Sequence, residues 1–549
     1  MSLRSHLGAF LILSAALSGA GAGILMVSPS QRIEVSTLEI DGHPVPSAGQ
    51  ALASSRPRVM ATLSHPIPSG LWSVAVDGRR LPIPSGDRSL GRLAIAVPDA
   101  FQPGSRHLLE IAAGPARRRA PFTVIRPLEA AISTRLHDLQ AAATVNLLTT
   151  VQFSRPVKDR VLAEDLIEVP GEASGFRWVD PRTVQVTSSG IPLGAHVSAS
   201  VDDGILDVAG SWTTVTRTAE ITVPAQITQL APGRLANLYY VNTPDAHAAL
   251  FAHLDQIDML SPNWYVANAD GSLTASAYQD VIDAAHAHRV QIVPLIQNAG
   301  VDPNVAHAIL ADPARRLGFA ARLVQEAKTY GYAGFQLDFE QVRWTDRDLL
   351  TALVQDSAAA LHAAGLSLSV AVIPRLDGDA TSTGDRLDYY HTWSGAYDFP
   401  ALARAADFLA FMTYDEHNGL TGPGSVAGRP WMRQALDYSL QGVPPGKATL
   451  GVPTYYHDWD RAGNLSSSSI DDAMTLAAES GATPVFDPVE DEMHLSYTLY
   501  GVHHELWYES GDTISRKLPL IYEYGLRGIS VWRLGFEDSS FWNLIPARR

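Results

Sequence analysis

Cysteine is entirely missing from the 549 residues of this chain. Its absence excludes disulfide bonds, thiol catalysis, cysteine-ligated metals and a lipidated N-terminal cysteine. A chain of this length without a single thiol is well suited to an oxidising compartment outside the cytoplasm. The composition is therefore compatible with an exported protein.

An excess of basic residues is also lacking. The chain has 41 Lys and Arg residues against 57 Asp and Glu residues, which gives a formal net charge of −16 at pH 7. This balance argues against nucleic acid and anionic membrane surfaces as partners, because both are bound through positive charge. It fits a protein that acts on neutral or cationic material. A chain of this length is expected to form two to four domains.

Motifs for several classes of chemistry are absent as well. No HExxH, phosphate-binding loop or dinucleotide fingerprint occurs in a fitting context, and no Gly-x-Ser-x-Gly elbow supports serine-based catalysis. We interpret His417 and the pair His503 and His504 as structural or exposed residues rather than metal ligands. The sequence therefore predicts no metal and no cofactor.

Long apolar runs are limited to one, at residues 7–27, which follows Arg4 and His6. Small residues at 20–22 offer a cleavage site for a signal peptidase. The run is also long enough to span a bilayer uncleaved. Residues 1–29 therefore predict either a signal peptide or a single-span membrane anchor. Both alternatives imply an extracellular, periplasmic or cell-surface protein.

Two stretches, residues 30–126 and 127–226, contain short β-like runs separated by turn residues. Regular short strands of this kind, such as Trp72–Val76, predict two β-sandwich domains. The pair of runs at 178–180 and 183–186 resembles the Ig-like modules of bacterial surface proteins. Because neither stretch carries a cluster of His, Asp and Glu, we interpret both as spacers or binding modules.

The remainder, residues 227–549, alternates between β-like and helical patterns. Helical spacing of apolar residues is found, for example, at 275–288 and 305–329. The β-like runs are 237–241, 256–260, 290–296, 334–340, 367–372, 407–412, 449–453 and 528–532. Eight such runs with helical connections predict a (β/α)8 TIM barrel, whose site lies at the C-terminal ends of the strands.

The fourth run carries polar residues at every second position: Gln336, Asp338 and Glu340. Alternate side chains of a strand share a face, so these three would line one side while the apolar residues between them pack the other. A half-exposed edge strand with a solvated face is the alternative. Helical patterns on both sides favour a buried parallel strand. Buried polar groups in a row then predict a lined cavity, and two carboxylates predict acid–base chemistry.

This fourth run resembles the strand-four signature of glycoside hydrolase family 18, which ends Asp-x-Asp-x-Glu. The segments 412–415 and Gly528–Trp532 match the family at the ends of strands six and eight, and the resemblance covers about residues 230–549. Details at 413–417 and 532–535 are most similar to the bacterial branch that contains spore-germination and cell-wall glucosaminidases.

The resemblance implies a retaining hydrolysis in which the substrate's own 2-acetamido group is the nucleophile. Glu340 would be the general acid, Asp338 would hold the acetamido N–H, and Tyr414 would orient the acetamido oxygen. The implied substrate is a polymer of β-linked N-acetylglucosamine, bound by a monomer. The expected substrate-binding residues are Gln336, Asp415, Met412, Trp532, Tyr240, Asn263 and Trp264. Further aromatic candidates follow strands five and seven: Tyr389, Tyr390, Trp393, Tyr397, Tyr455, Tyr456 and Trp459.

One position departs from the family, which commonly has Asp where this chain has Gln336. The loss of a neighbouring carboxylate removes a charge that would raise the pKa of Asp338. We hypothesise that Gln336 supports Asp338 by a hydrogen bond instead.

Three functions are compatible with these sequence features. The first is a secreted or surface-anchored β-N-acetylglucosaminidase that cleaves peptidoglycan or a chitin-like polymer. The alternative is a non-catalytic, lectin-like carbohydrate-binding protein on the same barrel, and the third is a surface scaffold in which the β-domains do the work. Glu340, Asp338 and Tyr414 are all retained, which favours the enzyme.

Overall fold

The computed structural model of the protein describes residues 32–84, 91–231, 233–378 and 383–548. The predicted signal peptide or anchor at residues 1–29 lies outside the described residues. Within these described ranges, no helix is both long enough and apolar enough to cross a membrane.

The chain divides into two compact units. One holds residues up to 131 together with 153–166 and 202–216, and the other holds 132–152, 167–201 and 217–549. The stretch 127–226, which we predicted as one sandwich, is thus shared between the two units.

The N-terminal region is rich in β-strands. Two sheets of the first unit pack on a common hydrophobic core. One consists of His43–Pro44, Val35–Ile40, Arg58–Leu63 and Arg92–Ala96, and the other of Ala51–Ala53, Ala116–Val124, Arg106–Ala113, Trp72–Val76 and Arg79–Leu81. Buried and partly exposed side chains alternate along Trp72–Val76, as expected of a strand with one face on a core.

Two smaller sheets follow in the chain. One consists of Ala130–His137, Thr144–Phe153, Thr183–Pro192 and Glu172–Asp180, and the other of Ile167–Glu168, His196–Val201 and Arg217–Thr222. The helix Arg160–Glu164 follows the strand Thr144–Phe153 in sequence. The prediction of a β-rich region before the barrel is therefore confirmed. An Ig-like topology for these sheets stays a prediction.

Eight parallel strands form a closed barrel, since the first strand pairs with both the second and the eighth. In chain order they are Leu235–Tyr240, Met259–Ala267, Leu295–Asn298 (preceded by the short piece Gln291–Ile292), Gly334–Asp338, Ser367–Val372, Phe408–Phe411, Ala448–Pro453 and Gly528–Trp532. The second strand continues well beyond the predicted 256–260. Its inward side chains Ser261 and Asn263 are polar, so this part has no apolar run that would mark it as a buried strand.

Helices cover the outside of the barrel. They are Pro244–His253, Gln279–Ala287, Pro303–Leu310, Pro313–Tyr330, Arg347–Ala363, Phe399–Ala405, Arg429–Ser439, Gly511–Lys517 and Pro519–Tyr524, and the short helix Asp385–Tyr389 lies in the loop after strand five. The single helix predicted at 305–329 is two helices. Pro313 lacks an N–H and cannot continue a helix, but it fits the first turn of a new one, where Asp312 accepts hydrogen bonds from Ala314 N and Arg315 N.

A small subdomain, which the sequence did not predict, is inserted between the seventh and eighth barrel strands. Its antiparallel sheet consists of Leu465–Ser468, Tyr456–Asp460, Val502–Tyr508, Glu492–Leu499 and Val485–Asp487, and the helix Ile470–Ser480 packs on it. Glu492 is buried and accepts hydrogen bonds from Ser425 Oγ, Val426 N and Ala427 N at 2.6, 2.8 and 3.2 Å. The subdomain is therefore fastened to the loop that follows strand six.

Gly334 opens the fourth strand where two backbones come very close. A Cβ at this position would lie 2.1 Å from the carbonyl oxygen of Ser367. We expect Gly334→Ala to lower the free energy of unfolding by about 1–3 kcal/mol, because the two strands would have to separate. The measurement is urea unfolding followed by tryptophan fluorescence.

Gly318 provides the matched control, because it lies in the helix Pro313–Tyr330 with nothing within 4 Å of a Cβ. Gly318→Ala should raise the free energy of unfolding by about 0.5–1 kcal/mol through helix propensity. Equal stability of the two variants would contradict the close approach at Gly334.

Candidate active site

The C-terminal ends of the barrel strands enclose a cavity of about 170 Å³. It is lined by Tyr239, Leu295, Gln297, Asp338, Glu340, Ala371, Met412, Tyr414, Asp415 and Trp532. Met412, Tyr414 and Asp415 also border a larger cleft of about 800 Å³, which lies between the loops after strands five and six. The sequence-predicted residues Glu340, Asp338, Tyr414, Met412, Asp415 and Trp532 are thus brought together at one site.

Glu340 lies just beyond the fourth strand, and its main chain is held by side chains of neighbouring elements. The Asn298 amide accepts a hydrogen bond from Glu340 N at 3.0 Å and donates one to Glu340 O at 3.2 Å. The Tyr397 hydroxyl donates to Phe339 O at 2.9 Å. The backbone that carries the predicted acid is therefore fixed while its carboxyl group faces the cavity.

Asp338 is 5% exposed, and its two oxygens have different surroundings. Gln297 Nε2 donates a hydrogen bond to Oδ2 at 3.0 Å. Oδ1 is buried and accepts no hydrogen bond from an N–H or hydroxyl group of the described residues, and a protonated Glu340 forms a hydrogen bond with the Asp338 carboxylate. A ligand N–H in the cavity would therefore find an acceptor with unused capacity here.

The two carboxyl groups have raised pKa values. Burial raises the pKa of Asp338, which the hydrogen bond from Gln297 partly counteracts. Burial also raises the pKa of Glu340, and the negative charges of Asp338 and Asp415 raise it further. Glu340 therefore keeps its proton in neutral solution more readily than Asp338, which is the condition for a proton donor beside a carboxylate.

The hypothesis that Gln336 supports Asp338 by a hydrogen bond is wrong. It is fully buried, and neither of its side-chain polar atoms forms a hydrogen bond to any described residue. The amide that reaches Asp338 is that of Gln297, its direct partner on the third strand. Lateral partners on adjacent strands are about 4.8 Å apart, whereas residues two apart on one strand are separated by about 6.5 Å. The neighbouring strand therefore supplies the support.

Tyr240 and Trp264 are placed away from the cavity, contrary to the prediction. Both lie in the hydrophobic core, with ring centroids 6.4 Å apart, and the Tyr240 hydroxyl donates to Asn242 Oδ1 at 2.8 Å. Successive side chains of a strand point to opposite faces, so Tyr239 lines the cavity and Tyr240 faces outward.

Asn263 faces inward but lies outside the cavity lining. Its Nδ2 donates to Gln297 Oε1 at 3.4 Å. It therefore supports the residue that holds Asp338 instead of contacting a ligand itself.

Asp415 is held from the inserted subdomain. The Tyr455 hydroxyl donates to Asp415 Oδ1, and His457 Nε2 lies 3.3 Å from the same oxygen. The sequence drew attention to this segment through Tyr455, Tyr456 and Trp459 only. His457 belongs to no motif, and without the inserted sheet nothing indicates that it reaches the site.

Asp338, Glu340 and Asp415 provide acid–base groups, and Tyr414 and Trp532 provide a hydroxyl and an apolar face. Among the described residues, no group of three or more His, Asp or Glu side chains is arranged to hold a metal ion. The arrangement is able to donate a proton to a bound ligand and to stabilise positive charge that develops beside it.

Comparison with known proteins gives matches in the barrel. The family described as "Glycosyl hydrolases family 18" matches residues 245–537. The uncharacterized glycosylase YvbX of Bacillus subtilis is 32% identical over 248 residues, which cover 44% of this chain and 69% of that protein. The cortical fragment-lytic enzyme of Bacillus subtilis is 26% identical over 290 residues, 51% of this chain and 65% of that protein. The crystal structure of a chitinase from Chromobacterium violaceum matches with a TM-score of 0.53 and 30% identity, covering 57% of this chain and 97% of that chain.

The contrast between Gln297 and Gln336 can be tested directly. Because the hydrogen bond from Gln297 lowers the pKa of Asp338, we expect Gln297→Met to raise it. Gln336→Met serves as the matched control and should leave the pKa of Asp338 nearer to the wild-type value. The measurement is carboxyl ¹³C NMR titration of aspartate-labelled protein, with the Asp338 signal assigned by Asp338→Asn. A larger change in the Gln336 variant would restore the original hypothesis.

Proposed function

This chain belongs to glycosyl hydrolase family 18 and is a glycoside hydrolase of polymers that contain N-acetylglucosamine, and we propose that it cleaves them by a retaining, substrate-assisted mechanism. The observation that carries the proposal is the pair Asp338 and Glu340 at one cavity wall. Burial and the neighbouring carboxylates raise the pKa of Glu340, which favours its protonated form, and Asp338 Oδ1 accepts no hydrogen bond from an N–H or hydroxyl group of the described residues.

Glu340 begins the reaction as the general acid. Its raised pKa keeps the proton that it gives to the departing glycosidic oxygen. After the leaving group has departed, the same carboxylate takes a proton from water, which then attacks the anomeric carbon. The two hydrogen bonds with Asn298 hold the Glu340 backbone in one place for both steps.

The attacking group in the first step is the carbonyl oxygen of the substrate's 2-acetamido group. Asp338 Oδ1 accepts the acetamido N–H, and the Asp338 carboxylate stabilises the positive charge of the cyclic oxazolinium intermediate. Burial keeps the pKa of Tyr414 well above its ordinary value, so its hydroxyl remains protonated and donates to the acetamido oxygen. A correctly oriented internal nucleophile can contribute up to about 7–11 kcal/mol to lowering the barrier.

The cavity and the cleft beside it accommodate a polymer. Trp532 lies against Tyr239, with ring centroids 5.5 Å apart, and provides an apolar surface for a sugar face. Tyr389, Trp393 and Trp431 line the larger cleft, where further sugars would stack.

We further propose peptidoglycan or a chitin-like polymer as the substrate. Support comes from the relatives that are named a cortical fragment-lytic enzyme and a chitinase. The apolar run at residues 7–27 supports export or membrane anchoring, and the β-rich region would act as a spacer or a wall-binding module for a monomeric enzyme.

Glu340→Gln should reduce cleavage at least about 10²-fold, because it removes the acid but keeps a similar shape. The measurement is mass spectrometry of products from peptidoglycan and from N-acetylglucosamine oligomers, using the full chain. Glu479→Gln, which changes an exposed carboxylate on the helix Ile470–Ser480, should retain wild-type activity. Binding of these polymers without turnover by the wild-type protein would support the lectin-like alternative instead.

The stereochemical course tests the mechanism separately from the activity. Attack by the acetamido oxygen followed by water inverts the anomeric carbon twice, so the first product should be the β-anomer. Proton NMR during the first minutes of hydrolysis of an N-acetylglucosamine oligomer would detect it. Initial release of the α-anomer would indicate an inverting enzyme and contradict the acetamido nucleophile.

A further inference from the structure

The inserted subdomain places a buried histidine directly behind Asp415. His457 lies on the strand Tyr456–Asp460, is 5% exposed and borders neither the cavity nor the larger cleft. Its Nε2 is 3.3 Å from Asp415 Oδ1. Asp415 itself borders both spaces, so His457 is separated from a bound sugar by the carboxylate that it contacts.

The partners of the ring determine where its protons are. His457 Nδ1 lies 2.9 Å from the backbone oxygen of His417. A carbonyl oxygen only accepts, so Nδ1 must carry a hydrogen. In a neutral ring, Nε2 would then carry a lone pair 3.3 Å from Asp415 Oδ1, which also only accepts when it is ionised. A second proton on Nε2 would replace this repulsion with the attraction of an ion pair at 3.3 Å.

The backbone at Asp415 also needs to be held. Its φ angle is +60°, in the left-handed region that side chains other than glycine adopt at some cost. Two groups of the subdomain, Tyr455 and His457, both reach Asp415 Oδ1 and keep the carboxylate at the cavity.

We propose that His457 is a positioning residue that holds Asp415 as an imidazolium–carboxylate pair and thereby sets the pH range in which the enzyme works. This inference rests on the proposed function of Glu340 as the acid. A negative charge at Asp415 favours retention of the Glu340 proton, and a positive charge behind Asp415 opposes that effect.

The other groups around this pair have defined roles. His457 faces Asp415 and the backbone of His417 from the loop after strand six, and Tyr455 and Trp459 from its own segment. Glu416, next in the chain, directs its carboxylate to Gly428 N at 2.8 Å. Its pKa is raised by burial to about 7, with the nearby Glu490 and Glu492 adding to the effect.

Glu340 is surrounded by Asp338, Asp415 and the hydroxyls of Tyr389, Tyr397 and Tyr414. Burial raises the pKa of each of these tyrosines, so they remain neutral. The charges that act directly on Glu340 are those of Asp338 and Asp415, and His457 acts through Asp415.

The pH dependence of kcat/KM provides the first test. In His457→Gln the negative charge of Asp415 is no longer balanced, so the basic limb should move to higher pH by about half a unit to one unit. In Asp415→Asn the anion itself is lost, and the basic limb should move to lower pH. Shifts in the same direction in both variants would overturn the proposal.

Tyr455→Phe is the matched control, because it removes a hydrogen bond to the same Asp415 oxygen without removing a charge. It should lower the rate but leave the basic limb close to its wild-type position. A shift equal to that of His457→Gln would mean that any disturbance of Asp415 moves the limb, and the charge of His457 would not be the cause.

A second readout needs no catalysis. In the full chain labelled with ¹⁵N-histidine at about pH 7, the His457 signals should show protons on both ring nitrogens, and Asp415→Asn should retain the proton on Nδ1 alone. A neutral His457 in the wild-type protein would overturn the ion pair even if the enzyme is active. Absence of any glycosidase activity with the ion pair present would instead refute the proposed function.

Discussion

The closed parallel barrel forces each inward-facing side chain to lie beside a partner on the next strand, and the candidate active site depends on this lateral contact. Asp338 lies beside Gln297, and Gln297 in turn lies near Asn263 of the second strand. The amides of Gln297 and Asn263 thus support the buried carboxylate from one side. Burial alone would push Asp338 toward its neutral form, so the amide that opposes this effect helps to keep it available as an anion.

The sequence was informative wherever a pattern repeats along one strand. The eight β-like runs and the alternation of Gln336, Asp338 and Glu340 were sufficient to predict the barrel and the end of it that carries the site. The sequence pattern could not predict contacts between strands, because strand register is set by the whole closed barrel. The hydrogen bond to Asp338 was therefore assigned to Gln336 on the same strand, although it comes from Gln297.

Two other differences between the predicted and the observed site have structural causes. One is the face of the strand on which a residue lies, and the other is the inserted subdomain. A pair of adjacent tyrosines has one member on each face, and the strand boundary decides which one faces inward; Tyr239 does and Tyr240 does not. Between strands seven and eight, an antiparallel sheet replaces the short connection that a barrel requires. Its residue His457 acquires a partner more than forty positions earlier in the chain, a relation that no local pattern encodes.

Asn298 holds the main chain of Glu340 through its backbone N and O atoms and forms no hydrogen bond with the carboxyl group. Asn298 forms the same two hydrogen bonds that a neighbouring strand would form, and so extends the sheet by one residue beyond its end. These hydrogen bonds involve only the main chain, so the proposed proton transfer at the Glu340 carboxyl group leaves them unchanged. The backbone conformation at position 340 therefore does not depend on the carboxyl group of the side chain. A single substitution could therefore remove the proposed acid and leave the cavity intact, which makes an enzyme of this construction a ready ancestor for a binding protein.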